Sequence, residues 1–336
     1  MEKNTPPKDN GEDVDPAIQS LSKGEEIDAM ERAGPRAPVV YASISARGLE
    51  ELNRPFISLM GSGISAGLIL MMSVIGEGLI HHELPKFQGA ELIADIGYTF
   101  GFLIVIIGRM QLFTEDTITP VLPLLANPTK RAFMRTGRLW SVVFTANLIG
   151  TFVAAFTLTY GEIVRPDQLH AILEVSSKVM ENTPFETLRY GIIAGFLIAA
   201  LVWCMPTLRG GEFLMIFFIT YLIALGDFTH VIAGSGEGFL LYLDGKVDGA
   251  WLVYGLIVPA LVGNMIGGTA LFAVLAYVQV MEEISEDKKP ARSRIPYTPK
   301  PTGPFSSGRS SASKDAAAAT RAGPARPKKE TKRTPR

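Results

Sequence analysis

Between residues 54 and 281, apolar runs long enough to cross a membrane recur, while residues 1–53 and 282–336 are polar and rich in proline and charge. A bilayer core ~30 Å thick takes ~20 apolar helical residues to cross. A soluble domain would show short amphipathic segments instead. The runs cover 56–80, 96–125, 139–160, 188–205, a stretch from 213, and 251–280. This pattern predicts an all-α membrane protein with six transmembrane helices over 54–281. Residues 1–53 and 282–336 are expected to be disordered tails. Glu77, late in the first run, is expected near a membrane interface.

Charge sets the expected orientation. Segment 127–138 carries Lys130, Arg131, Arg135 and Arg138 and no acid. The loops 81–95, 161–187 and 244–250 are mixed or acidic. The positive-inside rule puts 127–138 in the cytoplasm. Six crossings then leave both termini cytoplasmic, in keeping with Arg47 and Arg54 before the first run and a basic stretch after Lys288. That stretch reads as a solvated tail with attraction for anionic lipid headgroups; nucleic acid is not an expected partner. The single cysteine, Cys204, excludes a disulfide within the chain.

Two runs are interrupted. The second contains Thr114-Glu115-Asp116-Thr117 with Pro120 and Pro123; the fifth breaks at Gly226-Asp227, followed by Gly234, Gly236 and Gly238. The halves match weakly in order. Ala66-Gly67-Leu68 parallels Ala194-Gly195-Phe196, Leu112-Phe113-Thr114 parallels Asp227-Phe228-Thr229, and Asn147-Leu148-Ile149-Gly150 parallels Asn264-Met265-Ile266-Gly267. Three crossings per half is odd, so repeats over about 56–160 and 188–280 have opposite orientation. An inverted three-plus-three repeat places the pathway at its two discontinuous helices.

A break inside lipid exposes backbone groups that must find partners. The breaks at 113–120 and 226–238 offer Thr114, Thr117, Thr119, Thr229, His230 and Ser235. The helix after each break points its N-terminus at the gap, a place that favours anions. His230 alone among the four histidines lies deep in an apolar region, where an ionisable side chain is functional by default. No metal-ligand spacing accompanies it, no catalytic constellation is recognisable, and no cofactor is expected. Gly63-x-x-x-Gly67 and Gly263-x-x-x-Gly267 read as close helix contacts.

Three segments carry a family resemblance: Gly108 to Pro120 (GRMQLFTEDTITP), Phe228 to Ala233 (FTHVIA) and Ile257 to Gly268 (IVPALVGNMIGG). Over residues 50–280 the chain resembles the formate/nitrite transporter family, in particular its YfdC-like inner-membrane group. The resemblance implies a homo-pentamer of aquaporin-like protomers in the bacterial inner membrane. Each protomer would carry its own pore for small monovalent weak-acid anions and protons. It implies that Thr114 belongs to the loop breaking the second span and that His230 is the central pore histidine. Leu112 and Phe102 would form the inner constriction, and Tyr98 and Ile223 the outer one. Lys178 would be the outside lysine that draws anions in. Asn147, Asn264 and Thr229 are expected among the pore and substrate residues as well. The family often has Glu before the histidine and Asn three or four residues after it, where this chain has Thr229, Ala233 and Gly234; its span-four asparagine falls at Gly195. The alternative is an aquaporin-like neutral-solute channel, although neither break contains Asn-Pro-Ala.

Overall fold

The computed structural model describes residues 21–287; the rest of both tails, including the basic stretch after Asp287, lies outside the described residues. Among these residues the protein is helical, with no strand. Five helices are long and apolar enough to cross a membrane: Phe56–Glu83, Ala90–Ile107, Lys130–Tyr160, Pro184–Thr207 and Trp251–Glu283. Two shorter apolar helices, Glu212–Leu225 and Val231–Leu243, flank the second break. In chain order the helices are α1 (Lys23–Arg32), α2 (Ala37–Asn53), α3 (Phe56–Glu83), α4 (Ala90–Ile107), α5 (Val121–Ala126), α6 (Lys130–Tyr160) and α7 (Pro166–Ser176). They continue with α8 (Pro184–Cys204), α9 (Glu212–Leu225), α10 (Val231–Leu243), α11 (Val258–Met265) and α12 (Val274–Asp287).

Helix α3 packs on α6, and α8 on α11, at backbone contact distance. A Cβ on Gly67 would fall 2.2 Å from the Asn147 carbonyl oxygen, and one on Gly267 would fall 2.0 Å from that of Ile192. Any larger residue would push these helices apart, so the expected small-residue seams are real. The last long helix is wound more widely over Trp251–Ile257 and Ile266–Ala273. Pro259 has no N–H and crowds the carbonyl one turn before it, which accounts for the first of these stretches.

The expected tail over 1–53 needs correction. Residues 37–53 form α2, an amphipathic helix with Val40, Tyr41, Ile44 and Leu52 buried. It docks on the first break. The Tyr41 hydroxyl donates to the Leu122 carbonyl at 2.8 Å, and a Cβ on Gly48 would meet the Thr119 carbonyl at 1.9 Å. The expected loop 127–138 is also mostly helix, because α6 starts at Lys130, where Thr129 accepts from the Ala132 N–H. Loop 161–187 contains α7, which packs Ile172 against Gly78 of α3.

Candidate functional site

Both breaks are built the same way. Helix α4 ends at Gly108 and α9 at Gly226; the next residues, Arg109 and Asp227, take left-handed φ values of 51° and 48°. In the first break, Met110 N–H donates to the Val105 carbonyl and Arg109 N–H to that of Ile106, both at 3.1 Å. In the second, Phe228 N–H donates to Ile223 at 3.0 Å and Asp227 N–H to Ala224 at 2.9 Å. This paired closure stops a helix and turns the chain out of it.

One asparagine then holds each turned chain. Asn147 Nδ2 donates to the carbonyls of Gly63 and Gln111 at 2.8 and 2.9 Å, and its Oδ1 accepts from Phe113 N–H at 2.9 Å. Asn264 Nδ2 donates to the carbonyls of Gly191 and Thr229 at 2.9 and 2.8 Å, and its Oδ1 accepts from Val231 N–H at 3.0 Å. Orphaned backbone groups thereby regain partners without water. Both amides are occupied by backbone partners.

The hydrogen bonds also correct the register of the sequence match. The residue bracketed by Asn147 is Leu112, and the residue bracketed by Asn264 is His230, three positions beyond Asp227. Gly195 is corrected as well. A Cβ there would lie 2.3 Å from the Asn264 carbonyl, so this position is a helix contact with no room for asparagine.

His230 is buried and caps α10. Its Nδ1 accepts from Ala233 N–H at 3.3 Å, and its Nε2 lies 2.7 Å from Thr114 Oγ1. An N–H donor on Nδ1 requires a lone pair there. The ring proton of the neutral imidazole therefore sits on Nε2, which donates to Thr114. Phe102 presents its ring to the imidazole edge-on, 4.8 Å between centroids and 84° between planes, and Tyr98 follows Phe102 at 5.2 Å. Of the other hydroxyls in the two breaks, Thr117 donates to the Thr114 carbonyl, Thr119 to Glu51 and Ser235 to the Val231 carbonyl. Thr114 is thus the hydroxyl turned to the imidazole. The N-terminus expected to point at the second gap is capped by Asn264 at Val231 and by His230 at Ala233. After the first break, α5 is only six residues long.

On one side of His230 lies a cavity of about 60 Å³ lined by Glu77, Tyr98, Lys178, Ile223, Asp227, Thr229, His230 and Glu237 among others. Glu77 therefore faces this cavity. Burial would lower the Lys178 ammonium pKa, but Glu77, Glu91, Asp227 and Asp95 together hold it above the ordinary lysine value. Its Nζ pairs with Glu91 at 3.8 Å. On the other side, a wider cavity of about 510 Å³ is lined by Arg47, Glu51, Arg54, Arg109, Gln111 and Glu212 among others. There the Arg47 guanidinium bridges Glu51 at 2.9 Å and Glu115 of the first break at 2.7 Å. Those carboxylates outweigh its burial and raise its pKa. Phe102 and Leu112 line neither cavity and are fully buried between the breaks. The sequence reading missed Asp227 and Glu237 as cavity residues. The signal was present: Glu237 is the one carboxylate inside an otherwise apolar α10.

Apolar helices broken around a buried polar pair define a membrane protein built to pass a small solute. The formate/nitrite transporter family model matches residues 38–278, and the chain belongs to that family. It is 36% identical over 281 residues to the inner membrane protein YfdC of Escherichia coli (strain K12), covering 83% of this chain and 91% of that protein. It is 25% identical to the formate channel FocA of Haemophilus influenzae, over 66% of this chain and 86% of that one. Among solved structures, an FNT family ion channel superposes with a TM-score of 0.64 at 16% identity, over 72% of this chain and 99% of that one. A pentameric formate channel with formate bound gives 0.56 at 17% identity, over 68% and 98%. At such identities the superpositions establish the fold.

Proposed function

We propose that the chain is a channel for small monovalent weak-acid anions of the formate and nitrite type, passing them with a proton at His230. The observation that carries this reading is the His230–Thr114 pair at 2.7 Å, set between two asparagine-held breaks and against Phe102. A bare anion in an apolar constriction is prohibitively costly, whereas its neutral acid is not. With Nε2–H donating to Thr114 Oγ1, the hydroxyl proton of Thr114 is left to offer that acid a hydrogen bond. Tyr98 and Ile223 form the constriction on the Lys178 side, Phe102 and Leu112 the one beyond His230, and Thr229 belongs to the vestibule.

Six crossings with an inverted repeat fit the construction of the breaks. At ~1.5 Å per residue, α9 rises only about 21 Å, short of a ~30 Å core, and α10 supplies the remaining length. The matched turns at Gly108 and Gly226, each held by one asparagine, support two halves of opposite orientation. In this arrangement the Arg47 side is cytoplasmic, both termini lie inside, and the protein sits in a bacterial inner membrane as a homo-pentamer. The pentameric state follows the related formate channel.

The test is uptake of formate, nitrite, acetate and lactate into proteoliposomes, with and without a pH gradient. Proton-linked flux is expected for the wild-type protein, its abolition in His230→Ala, and partial retention in His230→Asn. Unchanged flux in both variants would remove His230 from the mechanism.

A further inference from the structure

Carboxylates outnumber ammonium groups around the cavity beside His230. Glu77 of α3, Asp227 of the second break and Glu237 of α10 line it with one ammonium, Lys178. Asp95 and Glu91 of α4 act on the same ammonium, and Glu91 already pairs with it. Among the described residues no hydrogen bond or ion pair reaches Glu77, which is 6% exposed, nor Glu237. Neighbouring elements bring little compensation. Helix α6 places its arginines at the far end, where Arg135 and Arg138 bond Asn53 and the Arg54 carbonyl. Glu174 of α7 turns to His81, and Glu181 adds a further negative charge beside Asp227.

Fully ionised, this cavity would repel the anions the channel is read as carrying, and its low-dielectric walls would strengthen the repulsion. A bound metal ion is not the remedy, since no three His, Cys, Asp or Glu side chains among the described residues are placed to hold one. Protons are the remaining counter-charge. His230 is poorly suited to store one, because its Nδ1 lone pair caps α10 through Ala233.

We propose that Glu77 and Glu237 form a proton-holding site on the Lys178 side of His230, where the substrate anion acquires its proton. The inference rests on the weak-acid reading above and refines it: the His230–Thr114 pair receives the neutral acid through the Thr114 hydroxyl, and the carboxyls supply the proton. The carboxyl O–H bond breaks as an O–H bond forms on the substrate. The resulting carboxylate is held briefly by Lys178, then reprotonated by hydronium from the adjoining water.

The full-length protein is tested by infrared spectroscopy and by formate uptake in proteoliposomes, using Glu77→Gln, Glu237→Gln and the double variant. At neutral pH the carbonyl stretch of protonated carboxyls is expected to lose intensity in each single variant and most in the double. Formate uptake down a pH gradient is expected to fall about tenfold or more in the double variant, on the scale of a lost proton donor. Glu77→Asp with Glu237→Asp is expected to restore part of it. A folded double variant with wild-type infrared intensity, or with wild-type uptake and an unchanged pH profile, overturns the proposal. If the wild-type protein carries none of the weak acids, the channel reading fails instead, and the infrared result alone decides the proton site.

Discussion

Asn264 holds the second break by three hydrogen bonds: its amide donates to the Gly191 and Thr229 carbonyls and its oxygen accepts from the Val231 N–H. Each buried polar group left unpaired costs about 1–3 kcal/mol. Asn264→Ala is therefore expected to destabilise the protein by several kcal/mol, read as a large fall in melting temperature in detergent. Asn264→Asp keeps the acceptor for Val231 but loses both donors, so it is expected to fall nearly as far. Lys178 gives a pH prediction of definite sign. Its folded pKa is raised by the surrounding carboxylates. Its contribution is therefore fully present below the unfolded lysine value and is lost as pH rises through the folded one. Thermal stability is expected to drop in strong alkali, and Lys178→Met is expected to flatten that drop.

At the scale of elements, α2 and the first break depend on each other. The charges of Glu51 and Glu115 are buried, and Arg47 is the cation that pairs with both. Arg47→Met leaves those carboxylates uncompensated, a loss of about 3 kcal/mol or more for a broken buried pair. Adding Glu115→Gln to that variant is expected to recover much of the melting temperature. Arg47 was legible in the sequence only as a charge before the first span, because nothing local marks 37–53 as more than tail. Its apolar residues Val40, Tyr41 and Ile44 are few and gain meaning from the surface they cover. The long helices were legible because apolar length is a local property. The breaks were visible through Gly226-Asp227 and the threonine cluster, but their register was not. The three-residue error came from matching Phe-Thr pairs, whereas hydrogen bonds from Asn147 and Asn264 fix the equivalence of Leu112 and His230. That Glu77 lines a cavity was not legible, because helical position alone does not say which face meets one.

For the whole molecule, the number of crossings decides which residues share a side of the membrane, and it can be measured directly. If α9 and α10 together make one crossing, and α4 and α5 with the first break make another, the loops alternate in a fixed order. The segments around Lys86, Glu162 and Lys246 face one side, and those around Asn127 and Gly210 face the other with α2. In that order the arginines of α6 near Asn53 and the Arg47 cluster belong to this second side, which the orientation proposed from the positive-inside rule makes cytoplasmic. Cysteines introduced singly at Lys86, Glu162, Asn127 and Gly210, with Cys204→Ser as background, report this with a membrane-impermeant maleimide on intact cells. Labelling is expected at positions 86 and 162 without lysis, and at 127 and 210 only after it. Labelling of 210 on intact cells would mean that the second half does not cross as the first does, and the inverted repeat would have to be given up. The Arg47 cavity would keep its geometry in that case, but it would no longer be the cytoplasmic mouth of a pathway through His230.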